Sequence, residues 1–139
     1  MLFNMINLTM NKWLIPQNTP PINLGESGEN NATIIDIEID ENEVSDFIKT
    51  KYYLDIRDEV DGEKTTPRTQ ELTLVKTTND NEDTYKLQMK PNSQWLGKDG
   101  IKLLQVRCEY VDDTDSENIE KVVMKSNTFK GIVKTGLAE

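Results

Sequence analysis

The sequence predicts an all-β domain, a sandwich or barrel of about seven to eight short strands. Three observations carry that expectation. Apolar and polar residues alternate with period two along several runs, turn formers punctuate the chain at short intervals, and no strand–helix rhythm of a parallel α/β sheet is present.

The elements follow in order. Ile6, Leu8 and Met10 alternate with Asn7 and Thr9, which predicts a short strand. Pro16, Pro20 and Pro21 exclude helix and favour extended backbone, and Ile22 and Leu24 form another short extended piece. Residues 1–24 therefore read as an extended N-terminal arm and 25–139 as the sandwich domain. The run from Gly25 to Asn31 is a loop, dense in turn formers. Ala32 to Asp40 gives the clearest strand, with Ile35, Ile37 and Ile39 on one face and Ile34, Asp36, Glu38 and Asp40 on the other. Asp40 to Ile48 fits either one or two helical turns or a wide loop. Strands are expected at Lys51–Asp58, Thr69–Lys76 and Thr84–Lys90, separated by Asp61-Gly62 and by the polar turn Asn79–Asp83. Trp95 and Leu96 anchor a loop that ends at Asp99-Gly100. Ile101–Tyr110 is a longer strand with Leu104, Val106, Cys108 and Tyr110 on one face. An acidic hairpin loop at Asp112–Asn118 leads to final strands at Ile119–Ser126 and Thr128–Val133, with Gly131 at a bulge.

A chain of 139 residues is one domain, long enough to bury a core without a disulfide or metal. The net charge of −9 excludes phosphate backbones and anionic membrane surfaces as natural partners, because both need clustered Lys and Arg. No run approaches the ~18 apolar residues of a membrane span. The N-terminus lacks a basic segment and a small-residue cleavage site, so no secretory signal is expected. The Asn7 and Asn31 glycosylation sequons are then coincidental. Cys108 cannot form an intrachain disulfide and reads as a small buried hydrophobe.

The chemistry-bearing residues are few. No histidine is present, which removes the commonest general base and metal ligand, and one cysteine cannot build structural zinc. No phosphate-binding glycine loop occurs. Asp36, Glu38 and Asp40 could line a carboxylate cleft, but the solvated face of a one-sided sheet accounts for them. The acidic runs at Asp80–Asp83 and Asp112–Asp115 lack the glycine and bidentate glutamate of an EF-hand loop and read as hairpin tips. Trp13, Trp95, Tyr52, Tyr53 and Tyr85 could form a sugar-stacking platform. Aromatics are only 6% of the chain, low for a dedicated glycan binder, and Trp95 reads better as a core plug. Trp13 either caps the domain or docks into a neighbouring subunit. No enzyme, cofactor or metal site is expected.

Two stretches carry a resemblance. Gly28-Glu29-Asn30-Asn31-Ala32-Thr33 opens the Ile34–Ile39 strand, and Ser126-Asn127-Thr128-Phe129 precedes Gly131-Ile132-Val133, with Ile101–Glu109 between them. In order and spacing this layout resembles the N-terminal domain of baseplate upper proteins and related minor tail proteins of long-tailed phages and prophages of Gram-positive bacteria. The resemblance spans most of the chain after Leu24. It implies an Ig-like antiparallel β-sandwich and a structural role, anchoring receptor-binding parts to the tail tip through other tail and baseplate proteins. It implies residence in the virion after synthesis in the host cytoplasm, and it supplies no catalytic residues. Longer members continue into fibre regions, so this chain is either a stand-alone baseplate component or a fragment.

The expected mode of action is assembly into a homo-oligomer, a trimer or hexamer. Leu2, Phe3, Ile6, Leu8, Trp13, Leu14 and Ile15 are the candidate interface, since a small sandwich would leave them uncovered. The alternative is a non-catalytic carbohydrate-binding module at a bacterial cell surface. A carboxylate glycosidase ranks third.

Overall fold

The computed structural model describes residues 4–17, 20–26, 33–45, 47, 49–60 and 66–134. Among these residues nine strands carry the fold: β1 Asn4–Met10, β2 Ile22–Glu26, β3 Thr33–Ile39, β4 Lys51–Asp58, β5 Arg68–Asn79, β6 Glu82–Met89, β7 Gly100–Asp112, β8 Glu120–Lys125 and β9 Phe129–Lys134. The described residues also include a 3-10 turn at Glu41–Glu43 and a helical turn, α1 at Ser93–Leu96.

Hydrogen bonding orders the strands β1-β3-β6-β5-β4-β7-β9-β2, with β8 attached to β7 alone. This is a nearly closed barrel, within the sandwich-or-barrel class that the alternation predicts, and it does not show the Ig-like sandwich that the resemblance implies. Two features close it. β5 is long enough to serve two partners: Arg68–Leu72 pairs with β4 and Thr73–Asn79 pairs with β6, so one strand turns the corner between two sheets. The ends of the path, β1 and β2, meet across a seam without pairing. Nor is the sheet wholly antiparallel, because β1 runs parallel to β3 and β2 parallel to β9.

Period-two patterning built this core as expected. Ile35, Ile37 and Ile39 of β3, Tyr52, Leu54 and Ile56 of β4, and Leu104, Val106 and Cys108 of β7 are all buried. Trp95 is buried on α1, where its indole N–H donates to the Leu54 carbonyl at 3.0 Å. The bulge expected near Gly131 lies on the facing strand: register slips between Asn23 and Gly25, and Leu24 turns fully inward. A β-carbon at Gly131 would sit 2.7 Å from Leu24 Cδ1, so the glycine is required by that close approach.

The N-terminal segment is a barrel element, not an extended arm. β1 pairs with β3 over its whole length, and Ile6, Leu8, Met10 and Ile15 belong to the core. Asn127 clamps the segment, accepting from the Ile15 N–H at 2.7 Å and donating to the Ile15 carbonyl at 2.8 Å. Two-point backbone pairing by one side chain substitutes for a strand neighbour at the seam.

The described strands also bury charge. Lys102, with no exposed surface, donates to Asp58 Oδ1 at 2.6 Å. Arg68 reaches the same oxygen at 3.0 Å and also binds the carbonyls of Trp95 and Leu96. Burial alone would raise the Asp58 carboxyl, but hydrogen bonds and charge from Lys102 and Arg68 together outweigh it and hold the group below its ordinary range.

Candidate interaction surface

The sequence-derived interface residues are dispersed. Ile6, Leu8 and Ile15 are consumed by the core, Trp13 is half-buried, and Leu14 is exposed. Leu2 and Phe3 lie outside the described residues, as does the Gly28–Ala32 stretch of the resemblance.

The supposed acidic face is also rearranged. Asp36 is buried and ion-paired to Lys86 at 3.4 Å rather than solvated. Asp40 caps the 3-10 turn, and only Glu38 is an ordinary exposed acid. The Asp112–Asp115 loop spends its carboxylates on itself: Asp112 accepts from the Thr114 backbone and hydroxyl, and Asp115 from Glu117 and Asn118. Among the described residues no group of three acids, cysteines or histidines is placed to hold a metal ion. The aromatic platform is not assembled either. Trp95 and Tyr52 are buried, and the Tyr53 ring is covered by the Arg107 guanidinium at 4.3 Å.

Trp13, instead, borders a groove of about 310 Å3 with Val44, Phe47, Tyr110 and Met124, floored by Cys108. Its wall is set by a carboxylate. Glu43, buried, accepts from the backbone N–H groups of Lys12, Trp13 and Asp40, and so fixes a turn whose residues Lys12 and Trp13 both have positive φ. Phe47 stacks on Tyr110 with ring centroids 4.8 Å apart. Replacing Glu43 with alanine leaves three donors unpaired and should cost about 1–3 kcal/mol. Tryptophan emission should shift to the red as Trp13 is released; an unchanged spectrum and midpoint would count against this anchoring role. Cys108 is sealed beneath the groove, and burial followed by the nearby Glu109 charge pushes its thiol up to about 11. A disulfide reagent at neutral pH should therefore label the protein only once denaturant is added, and rapid labelling of the native protein would contradict the burial.

Alongside the groove stands the β7–β8 hairpin. Its outer face carries a charge chain: Arg107 binds Asp55 through Nε at 2.9 Å, Arg107 also binds Glu109, and Lys121 of β8 binds Glu109 at 2.7 Å. Through the hydrogen bond of Lys121 first, and through Arg107, the Glu109 carboxyl is held below its usual range. This chain pins β8 to the barrel. Val111 and Val123 are nevertheless exposed on that face, with Ile119 exposed just before β8 and Met124 exposed on the opposite face beside the groove. Sequence reading missed this patch because alternation places residues on a face but does not say whether a strand has a second neighbour.

Fold and surface together define an all-β barrel domain with apolar residues exposed on a hairpin whose outer strand, among the described residues, pairs with β7 alone. No family model matches the sequence, and no curated protein matches it. A solved structure does: the N-terminal domain of ORF48 of phage TP901-1 superposes with a TM-score of 0.57 at 12% identity, covering 96% of this chain and 100% of that one. At that identity the likeness shows a shared fold.

Proposed function

We propose that this chain is a structural component of a phage or prophage tail, at the baseplate, which works by protein–protein assembly and without catalysis. The observation that carries the reading is the fold likeness over nearly the whole chain to a phage protein's N-terminal domain. The Ser126-Asn127-Thr128-Phe129 resemblance supports it with a physical role for Ser126, Asn127 and Phe129. Ser126 Oγ accepts from Val106 N–H, Asn127 clamps Ile15, and Phe129 is buried. In this reading the domain anchors receptor-binding parts to other tail proteins and resides in the virion. No helix among the described residues is long and apolar enough to cross a membrane.

Antibodies raised against the purified protein should label the tail tips of particles released by the bacterium or phage that carries it, as seen by immunogold microscopy. Label confined to the cell surface, with bare particles, would overturn the reading. Light scattering after size exclusion tests the oligomer separately, with a threefold or sixfold mass expected.

A further inference from the structure

Among the described residues β8 has one neighbour, β7. Ser126 N–H donates to the Val106 carbonyl at 2.9 Å, one step beyond the β7–β8 register that pairs Arg107 with Lys125. Antiparallel ladders alternate, so Met124, Val122 and Glu120 also turn their backbone groups toward β7. Lys121, Val123 and Lys125 then turn theirs outward. Among the described residues β8 pairs with β7 alone, and Val123 is 46% exposed. The outward row therefore offers donors and acceptors that only another extended segment can satisfy in register.

The side chains say what kind of segment. Lys121, Val123 and Lys125 share one face, and Val122 and Met124 the other. A second copy of the same strand is a poor fit in the register centred on Val123. Antiparallel pairing about a twofold axis opposes residues of one face, so the register that sets Val123 on Val123 also sets Lys121 against Lys125 twice over. Like charges directly opposed destabilise a ladder, and this opposition at the edge disfavours a copy while it favours an acidic segment. Lys121 is already half-neutralised by Glu109, whereas Lys125 has no ion pair among the described residues.

We propose that the outer edge of β8 is a docking strand for an extended segment of a partner protein with the pattern acidic–apolar–apolar–apolar–acidic. The acids meet Lys121 and Lys125, the central residue meets Val123, and the residues between pack on Val122 and Met124. Because both ends of the edge are lysine, either strand direction serves. The edge lysines would then bar self-association while admitting an acidic partner. The inference rests on the assembly reading above and gives the partner's chemistry.

The test uses the whole chain and the peptide Ser-Glu-Val-Val-Val-Glu-Ser, with Ser-Lys-Val-Val-Val-Lys-Ser as its charge-reversed control. Amide hydrogen exchange by NMR is the readout. The acidic peptide should slow exchange at Lys121, Val123 and Lys125, and leave Glu120, Val122 and Met124, already bonded to β7, unchanged. The lysine peptide should bind roughly tenfold more weakly. V123P removes an outward N–H and leaves the inward ladder intact, so it should abolish protection while the protein stays folded. K125E should reverse the preference between the two peptides.

Absence of protection at those three amides, or equal binding of both peptides, overturns the proposal. So does protection that rises with protein concentration in the absence of peptide, which would make a second copy the occupant. Tail-tip labelling with no peptide binding would leave the assembly reading standing and remove only this edge. Peptide binding on a protein absent from particles would do the reverse.

Discussion

Replacing Asp58 with alanine is expected to cost about 3–5 kcal/mol, more than half of a typical domain's stability at the lower bound. The reason is Lys102. Its side chain has no exposed surface, and Asp58 is the carboxylate it touches. Without that carboxylate an ammonium remains in the core with no counter-charge, and burial of an unpaired charge is among the largest single penalties available. Arg68 suffers less, since it keeps the Trp95 and Leu96 carbonyls and is about a third exposed. The double variant Asp58→Leu with Lys102→Met should recover most of the loss, because apolar replacement of a buried pair is often neutral or stabilising. The pH dependence has a defined sign. The folded state holds Asp58 below its ordinary value of 3.8, so the contribution is complete above that value and is lost as pH falls through the folded one. Urea unfolding of wild type should weaken below about pH 4 through this group, and the double variant should lack that component. A loss under about 1 kcal/mol for Asp58→Ala would place the pair in the class of surface bridges and refute the argument.

The pair was legible in part. Asp58 closes the face begun by Tyr52, Leu54 and Ile56, and Lys102 opens the face continued by Leu104, Val106 and Cys108, so each charge occupies a core-side slot of an alternating strand. Reading only the apolar members of each face hid them. Local patterning identified the strands because period two is a local property. It could not show that β5 turns a corner, that β1 runs parallel to β3 and β2 parallel to β9, or that β8 pairs with β7 alone among the described residues, because these depend on partners far along the chain. Asp36 failed for the same reason. Alternation sends it to the outer face, and Lys86 of the adjacent β6, which the sequence does not place there, pairs with it.

Removal of residues 1–21 is expected to abolish cooperative folding rather than yield a folded monomer. The segment is rich in apolar residues, which as sequence suits an interface arm. In the barrel four of them, Ile6, Leu8, Met10 and Ile15, lie in the core, and each buried side chain of that size contributes about 1.5–3 kcal/mol. Their combined loss is of the order of the whole 5–15 kcal/mol by which a domain is stable. The deletion also strips β3 of its parallel partner, exposing an apolar edge that carries Ile35 and Ile37, and leaves Asn127 with no Ile15 backbone to clamp. Circular dichroism with a urea titration decides the matter. Truncated protein should show no sigmoidal transition and should aggregate through the freed β3 edge. A sharp transition near the full-length midpoint would mean that the segment adds little to the core, and would return it to the role of a detachable arm. The point substitution Asn127→Ala separates the two ideas without removing any chain. It should cost about 1–3 kcal/mol by leaving the Ile15 N–H and carbonyl unpaired at the seam, a loss that an arm held only by a neighbour would not show.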